Sequence, residues 1–169
     1  MENIRKQAEK EATIIDTYIA NENTYMLLPA RTHNSHSIAL EKKAIYYVKQ
    51  TPLEIIKLSC EKLDWVTYEG RKLIIAETLN LPYHTPLMLS QGKEIFAFPT
   101  ISPFHQECCW IFQHADIDIG KAFHKGALFI NWEKKIHLDI SYHTLQVQFG
   151  KAFHLKNMLL SNKFHFKHY

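Results

Sequence analysis

The segment from Ala44 to Cys60 reads A-I-Y-Y-V-K-Q-T-P-L-E-I-I-K-L-S-C, and its change of period sets the pattern for the whole chain. Ile45-Tyr46-Tyr47-Val48 is β-branched and aromatic, the composition that suits a pleated, half-buried surface. Thr51-Pro52-Leu53-Glu54 then starts a helix. Thr51 offers a capping oxygen, Pro52 fits the first helical position because no partner exists there for an N–H, and Glu54 can reach back to close a capping box. Leu53, Ile56, Cys60 and Leu63 follow at helical spacing and form one apolar face. Glu54, Lys57 and Glu61 lie on another face, three and four residues apart, as mutually compensating charges. Cys60 therefore reads as a small buried residue and not as a nucleophile.

Outward from this segment the chain alternates in the same way. Residues 1–11 mix acids and bases and predict a frayed or short helical lead-in. Thr13–Ala20 and Thr24–Pro29 predict a hairpin around Asn21-Glu22-Asn23, Arg31–Ser35 a loop, and Ser37–Leu40 with Ala44–Lys49 a strand pair around Glu41-Lys42-Lys43. After the helix, Trp65–Thr67 is a bridge and Tyr68-Glu69-Gly70-Arg71-Lys72 a turn. Leu73–Leu79 reads as a second helix or, from Leu73-Ile74-Ile75, as a strand, closed by Pro82 and Pro86. Pro86–Leu89 and Glu94–Phe98 predict a hairpin, Ile101–Glu107 a loop, and Cys108–His114 a third strand. Asp116–Gly126 reads as irregular, with turn signals at its glycines. Ala127–Trp132 and Lys135–Ile140 predict a hairpin over Glu133-Lys134. Ser141 caps a last helix, roughly Tyr142–Leu160, with Leu145, Phe149, Phe153 and Leu159 on one broad face. Gly150 in its middle costs about 1 kcal/mol against alanine, which leaves room for a kink or break there. Gly-Lys-Ala-Phe-His occurs at 120–124 and again at 150–154 in unlike contexts, which reads as coincidence. Strands in runs with two or three helices predict a single α+β domain over 12–160 with mostly antiparallel sheet, a lead-in at 1–11 and a short basic-aromatic tail at 161–169.

A chain of 169 residues fits one domain and can bury a core without staples. Met1–Thr13 is charged and lacks the apolar centre of a secretory signal. No apolar run approaches the roughly 18 residues of a membrane span. Three cysteines without a secretion signal point to a reduced cytoplasmic setting. The net charge of +3 is unevenly spread: Tyr142–Tyr169 holds Lys151, Lys156, Lys163 and Lys167 and no acid, while residues 1–30 are net negative. A basic end of this kind suits a polyanion, or is a solvated tail.

Enzymatic chemistry finds little support. His105, Cys108 and Cys109 form H-x-x-C-C, but zinc cysteines are usually spaced so that both sulfurs converge, and adjacent residues on a strand point to opposite faces. No Gly-rich phosphate loop or pair of carboxylates stands out, so no catalytic site, metal or cofactor is expected. Trp110 beside the cysteines reads as core. Arg71 and Lys72 follow Gly70 at a candidate helix start, and cations there oppose the helix dipole, which a docked phosphate would offset. The competing reading is a salt bridge from Arg71 to Glu69 or to a neighbouring strand, or simple exposure.

Four motifs then add a resemblance. Ala44–Val48 with its Tyr-Val strand, Pro52–Cys60 ending in Ser-Cys, Tyr68–Lys72 as Tyr-x-Gly-Arg-Lys, and Phe98–Ile111 with Phe-Pro-Thr-x-Ser and Cys-x-Trp-Ile stand in one order. Together they closely resemble the central region of the ComK family, transcription factors that switch on genetic competence in Gram-positive bacteria. The resemblance implies a cytoplasmic, nucleoid-associated regulator that recognises paired A/T-rich boxes through the minor groove and self-associates as a dimer or dimer of dimers. It makes Arg71 the leading candidate for the groove, with Gly70 and Lys72 beside it, because an inserted arginine reads a narrow, negative minor groove. Lys57, Lys62, Lys151 and Lys156 are candidates for phosphate contacts. Family members continue past the last helix into a tail that includes a contact for a Clp-protease adaptor. No counterpart follows Phe164–Tyr169, so a shortened paralogue is expected, with RNA polymerase and adaptor contacts weakened. The alternative is an interaction paralogue that modulates a full-length relative without binding DNA itself.

Overall fold

The capping box at Thr51 is formed as the sequence dictates. Glu54 N donates to Thr51 Oγ1 at 3.3 Å and Thr51 N donates to Glu54 Oε2 at 2.7 Å. The computed structural model describes residues 1–32, 34–81 and 84–161. Among them lie four helices: α1 (Glu2–Glu11), α2 (Pro52–Asp64), α3 (Tyr68–Leu79) and α4 (Tyr142–Leu160). Ten strands accompany them: β1 (Thr13–Ile15), β2 (Thr24–Pro29), β3 (Ser37–Glu41), β4 (Ile45–Val48), β5 (Leu87–Ser90), β6 (Ile95–Pro99), β7 (Trp110–Phe112), β8 (Ile117–Ala122), β9 (Lys125–Ile130) and β10 (Lys134–Ser141). The fold is α+β and mostly antiparallel, with four helices in place of the expected two or three.

Seven strands form one sheet in the order β1-β4-β3-β2-β7-β6-β5, and three form a second in the order β10-β9-β8. Strand alternation sends Leu27 and Trp110 to one face of the large sheet and Met26 and Ile111 to the other. The first face packs under α2 and α3, through Ile55, Ile56, Cys60, Tyr68 and Ile75. The second is covered by α1, the three-stranded sheet and α4, through Ile4, Ala8, Leu128, Ile136 and Leu145. Cys108 and Cys109 part to the two cores as adjacent strand-like residues should.

Several local expectations are corrected. Thr13–Ala20 does not form a hairpin with β2. Only Thr13–Ile15 is a strand, and it runs parallel to β4, pairing Thr13 with Tyr46 and Ile15 with Val48. Tyr68–Lys72 is not a turn but the opening of α3, capped by Thr67, and Leu73–Leu79 continues it as helix. The stretch 116–126 holds β8, paired with β9 residue for residue from Ile117–Ile130 to Ala122–Lys125. The lead-in is a packed helix, with Ile4 and Ala8 buried. α4 runs unbroken through Gly150. Pro82 and the tail from 162 onward fall outside the described residues.

Candidate nucleic-acid interface

The α2–α3 pair shows what the Tyr-x-Gly-Arg-Lys motif does locally. Thr67 accepts a hydrogen bond from Gly70 N at 3.2 Å, and a Cβ on Gly70 would stand 3.1 Å from the capping oxygen, so glycine keeps the cap open. Arg71 is 6% exposed and donates from Nη2 to Asp64 Oδ2 at 3.4 Å. Its Nε has no partner among the described residues. The same carboxylate accepts from Ser90 Oγ at 3.1 Å and Gln91 N at 3.0 Å. Arg71 is thus not the exposed cation the motif promised. It lies inward in a network that ties α2 and α3 to the β5–β6 turn. The expected salt bridge to Glu69 is taken by Lys57 instead, at 3.1 Å, and that ammonium holds the Glu69 carboxyl below its usual range.

The remaining candidates divide between the α2–α3 pair and α4. Lys57 also lies 5.7 Å from the Tyr68 ring centre, and Lys72 lies 5.9 Å from that of Phe104. Lys62 is exposed near the end of α2. The outward residues of α3 include Glu69, Leu73, Ile74 and Glu77, an acidic and apolar face that does not favour a polyanion. Lys151 and Lys156 stand on a separate helix, α4, whose first half packs in the second core through Leu145 and Ala152 and whose last turns reach the first core through Leu155 and Leu159, so the seven candidates are spread over three helices. Lys156 sits 5.9 Å from the Phe96 ring centre, beside a cleft of about 190 Å³ that Lys93, Gln113 and His114 also line.

α4 contains no acid in its 19 residues. His143, Gln146, Val147, Gly150, Phe153, His154 and Asn157 face outward, flanked by half-buried Lys151 and Lys156. Nothing lies within 4 Å of where a Gly150 Cβ would be, so packing does not require glycine at this exposed place.

Sequence reasoning missed the neighbour of this helix, the β8–β9 tip. The turn between Ala122 and Lys125 is Phe123-His124, and Phe123 is 91% exposed at φ 58°. That left-handed conformation costs an ordinary L-residue roughly 1–2 kcal/mol. Lys121 and Lys125 flank the tip, and Lys125 Nζ is 2.8 Å from Asp139 Oδ1. The tip is seated on α4: Tyr142 N donates to His124 O at 3.4 Å, and a Cβ on Gly126 would meet Leu145 Cδ2 at 2.6 Å. Ser141 accepts from Thr144 N at 3.0 Å and fixes the helix start beside it. The only sequence signal for this tip was its glycine flanks, because Phe-His is not turn chemistry. At the other end of β9, Asn131 and Trp132 also take positive φ, and the Trp132 ring rests 5.6 Å from that of Phe129. Glu133 and Asp118 stand near that end, so its charge is mixed.

The model of the family described as ComK protein matches residues 15–163. The competence transcription factor of Bacillus subtilis (strain 168) is 29% identical over 144 residues, covering 83% of this chain and 74% of that protein. No solved structure matches. The family match runs from the last residue of β1 past the end of α4, so it takes in the capped α2, the buried Arg71 latch and the hairpin seated on α4 alike: this chain belongs to the ComK family.

Proposed function

We propose that the protein is a transcriptional regulator of competence genes that binds A/T-rich double-stranded DNA through the minor groove as a dimer. The outward face of α4 and the β8–β9 tip would lie against the duplex. The acid-free surface of α4, continuous with the basic tip at Lys121 and Lys125, is the observation that carries this reading. It adds to family membership and to the name of the B. subtilis relative. Lys151 and Lys156 remain the phosphate contacts in this arrangement. The α2–α3 candidates Lys57, Lys62, Gly70, Arg71 and Lys72 stand apart from it. All three arginines are engaged within the fold, Arg5 with the Pro29 carbonyl, Arg31 with Glu107 and Arg71 with Asp64. In this reading lysine, histidine and an apolar tip meet the groove.

Titration of a labelled duplex carrying two A/T boxes, against a G/C-rich control and across salt concentrations, tests the proposal. Preferential binding to the boxes, displaced by a minor-groove drug, is expected. Replacing Lys151 and Lys156 together by alanine should reduce the salt slope by up to about two units, since each phosphate contact contributes roughly 0.9. Equal binding to both duplexes would reduce the reading to a basic surface.

One observation favours a second reading, an interaction paralogue without DNA affinity: the exposed Leu73 and Ile74 on α3 between Glu69 and Glu77. Salt-insensitive self-association with no DNA binding would establish it.

A further inference from the structure

We infer that Phe123 is an apolar wedge that inserts between stacked bases and kinks the duplex. This rests on the DNA-binding reading above and adds a specific contact to it. Proteins that enter the minor groove commonly drive an apolar side chain into a base step and bend the DNA toward the major groove. Four features of the β8–β9 tip meet that demand. The ring is almost wholly in water, so the fold itself gains nothing from burying it. Its backbone sits in the left-handed region, where glycine or asparagine would be easier, so the residue is not there for the turn's sake. Exposed Lys121 and Lys125 stand two residues away on either side of it, Lys125 with its ammonium on Asp139, and His124 is exposed next to it. Finally the tip is held rigidly, because Gly126 lets the hairpin press on Leu145 and Tyr142 N bonds to the His124 carbonyl.

The comparison with other exposed aromatics sharpens the choice. Trp132 rests on Phe129 and has Glu133 and Asp118 nearby, which a phosphate backbone would avoid. Trp65 follows Asp64 at the end of α2, next to the acidic α3 face. Phe123 is the most exposed of the three and the one with a lysine two residues away on each side.

The second copy of Lys-Ala-Phe-His, at 151–154, bears on the same surface. In both copies the alanine is buried while the phenylalanine and histidine face outward, once from a hairpin and once from α4. The repeat thus places a second exposed ring, Phe153, on the helix that carries the hairpin.

The test uses the full chain and duplexes with 2-aminopurine at successive steps of one A/T box, with Phe123→Gly and Phe123→Tyr as variants. Wild type should raise the probe's fluorescence at one step, reporting unstacking, and bring end-labelled dyes closer by bending. Phe123→Gly removes the ring and relieves the backbone, so its thermal midpoint should hold or rise while both optical signals are lost. Phe123→Tyr should keep them. Binding by wild type without unstacking at any step, or unstacking that survives Phe123→Gly, overturns the wedge and leaves the DNA reading intact. A change in sedimentation of Phe123→Gly with the probe signal unaltered would make the tip a protein contact and equally overturn it. Absence of wild-type binding to any duplex would remove the DNA reading, and the wedge with it.

Discussion

Arg71 and Asp64 face each other across the three-residue bridge between α2 and α3, with Nη2 and Oδ2 3.4 Å apart. Asp64 is the shared acceptor for Arg71, Ser90 and Gln91, so one carboxylate joins two helices to a hairpin turn. Breaking a buried ion pair on one side leaves the other charge poorly solvated. Arg71→Ala is therefore expected to lower stability by about 2–3 kcal/mol, reduced from the fully buried case because Asp64 is a quarter exposed. A urea denaturation curve reads this directly. An unchanged midpoint together with lost DNA affinity would return Arg71 to the groove.

Gly150 invites the opposite sign. Alanine in an exposed helix interior is favoured over glycine by roughly 0.8–1 kcal/mol, and no neighbour obstructs a Cβ at this position. Gly150→Ala should raise the denaturation midpoint and, because it thickens the α4 face, weaken duplex binding. A variant that gained stability and bound DNA as tightly as wild type would show that α4 does not approach the duplex at this residue.

Stability should also fall on mild acidification through His114. Burial holds this imidazole below its ordinary pKa, and its Nε2 lies 2.5 Å from the Thr24 carbonyl, which requires the proton on that nitrogen. The unfolded chain then binds a proton more readily than the folded one. The contribution is complete above the unfolded pKa near 6.5 and is lost as pH falls through that value toward the folded one. Thermal midpoints recorded from pH 7.5 downward should drop over this window, and His114→Gln should flatten the slope.

The thiols should be silent in the native state. Burial raises Cys60 to about 11 and Cys109 to about 12, and it raises Cys108 in the same direction. Only thiolate reacts, so alkylation at pH 8 should be slow for all three and become rapid on unfolding. One fast cysteine in the folded protein would instead favour a thiol-dependent enzyme using Cys108 or Cys109.

Most of the frame was legible because it rests on short-range chemistry. Thr51-Pro52-Glu54 fixed the start of α2, Ser141 that of α4, and Glu41-Lys42-Lys43 the β3–β4 hairpin, each through residues within a few positions of one another. What failed depended on distant partners. Ile14 and Ile15 look like half of a local hairpin, yet β1 pairs with β4, some 30 residues on. Arg71 beside Gly70 and Lys72 looks like an exposed basic cluster. Its burial follows from Asp64 and Ser90, which no local window connects. Lys151 and Lys156 could be picked out by charge, but only the fold shows that α4 adjoins the β8–β9 tip. Phe123 carried no signal at all, since exposure and backbone sign are properties of the folded turn.

The large sheet ends on β1 and β5, strands of three and four residues. β5 lies under α2 and α3, and β1 offers too few free backbone groups to template another chain. Copies of the chain therefore have little means of pairing through the edges of the large sheet. A contact between copies at those edges falls to side chains, and the longer outer strands, β8 and β10, belong to the small sheet.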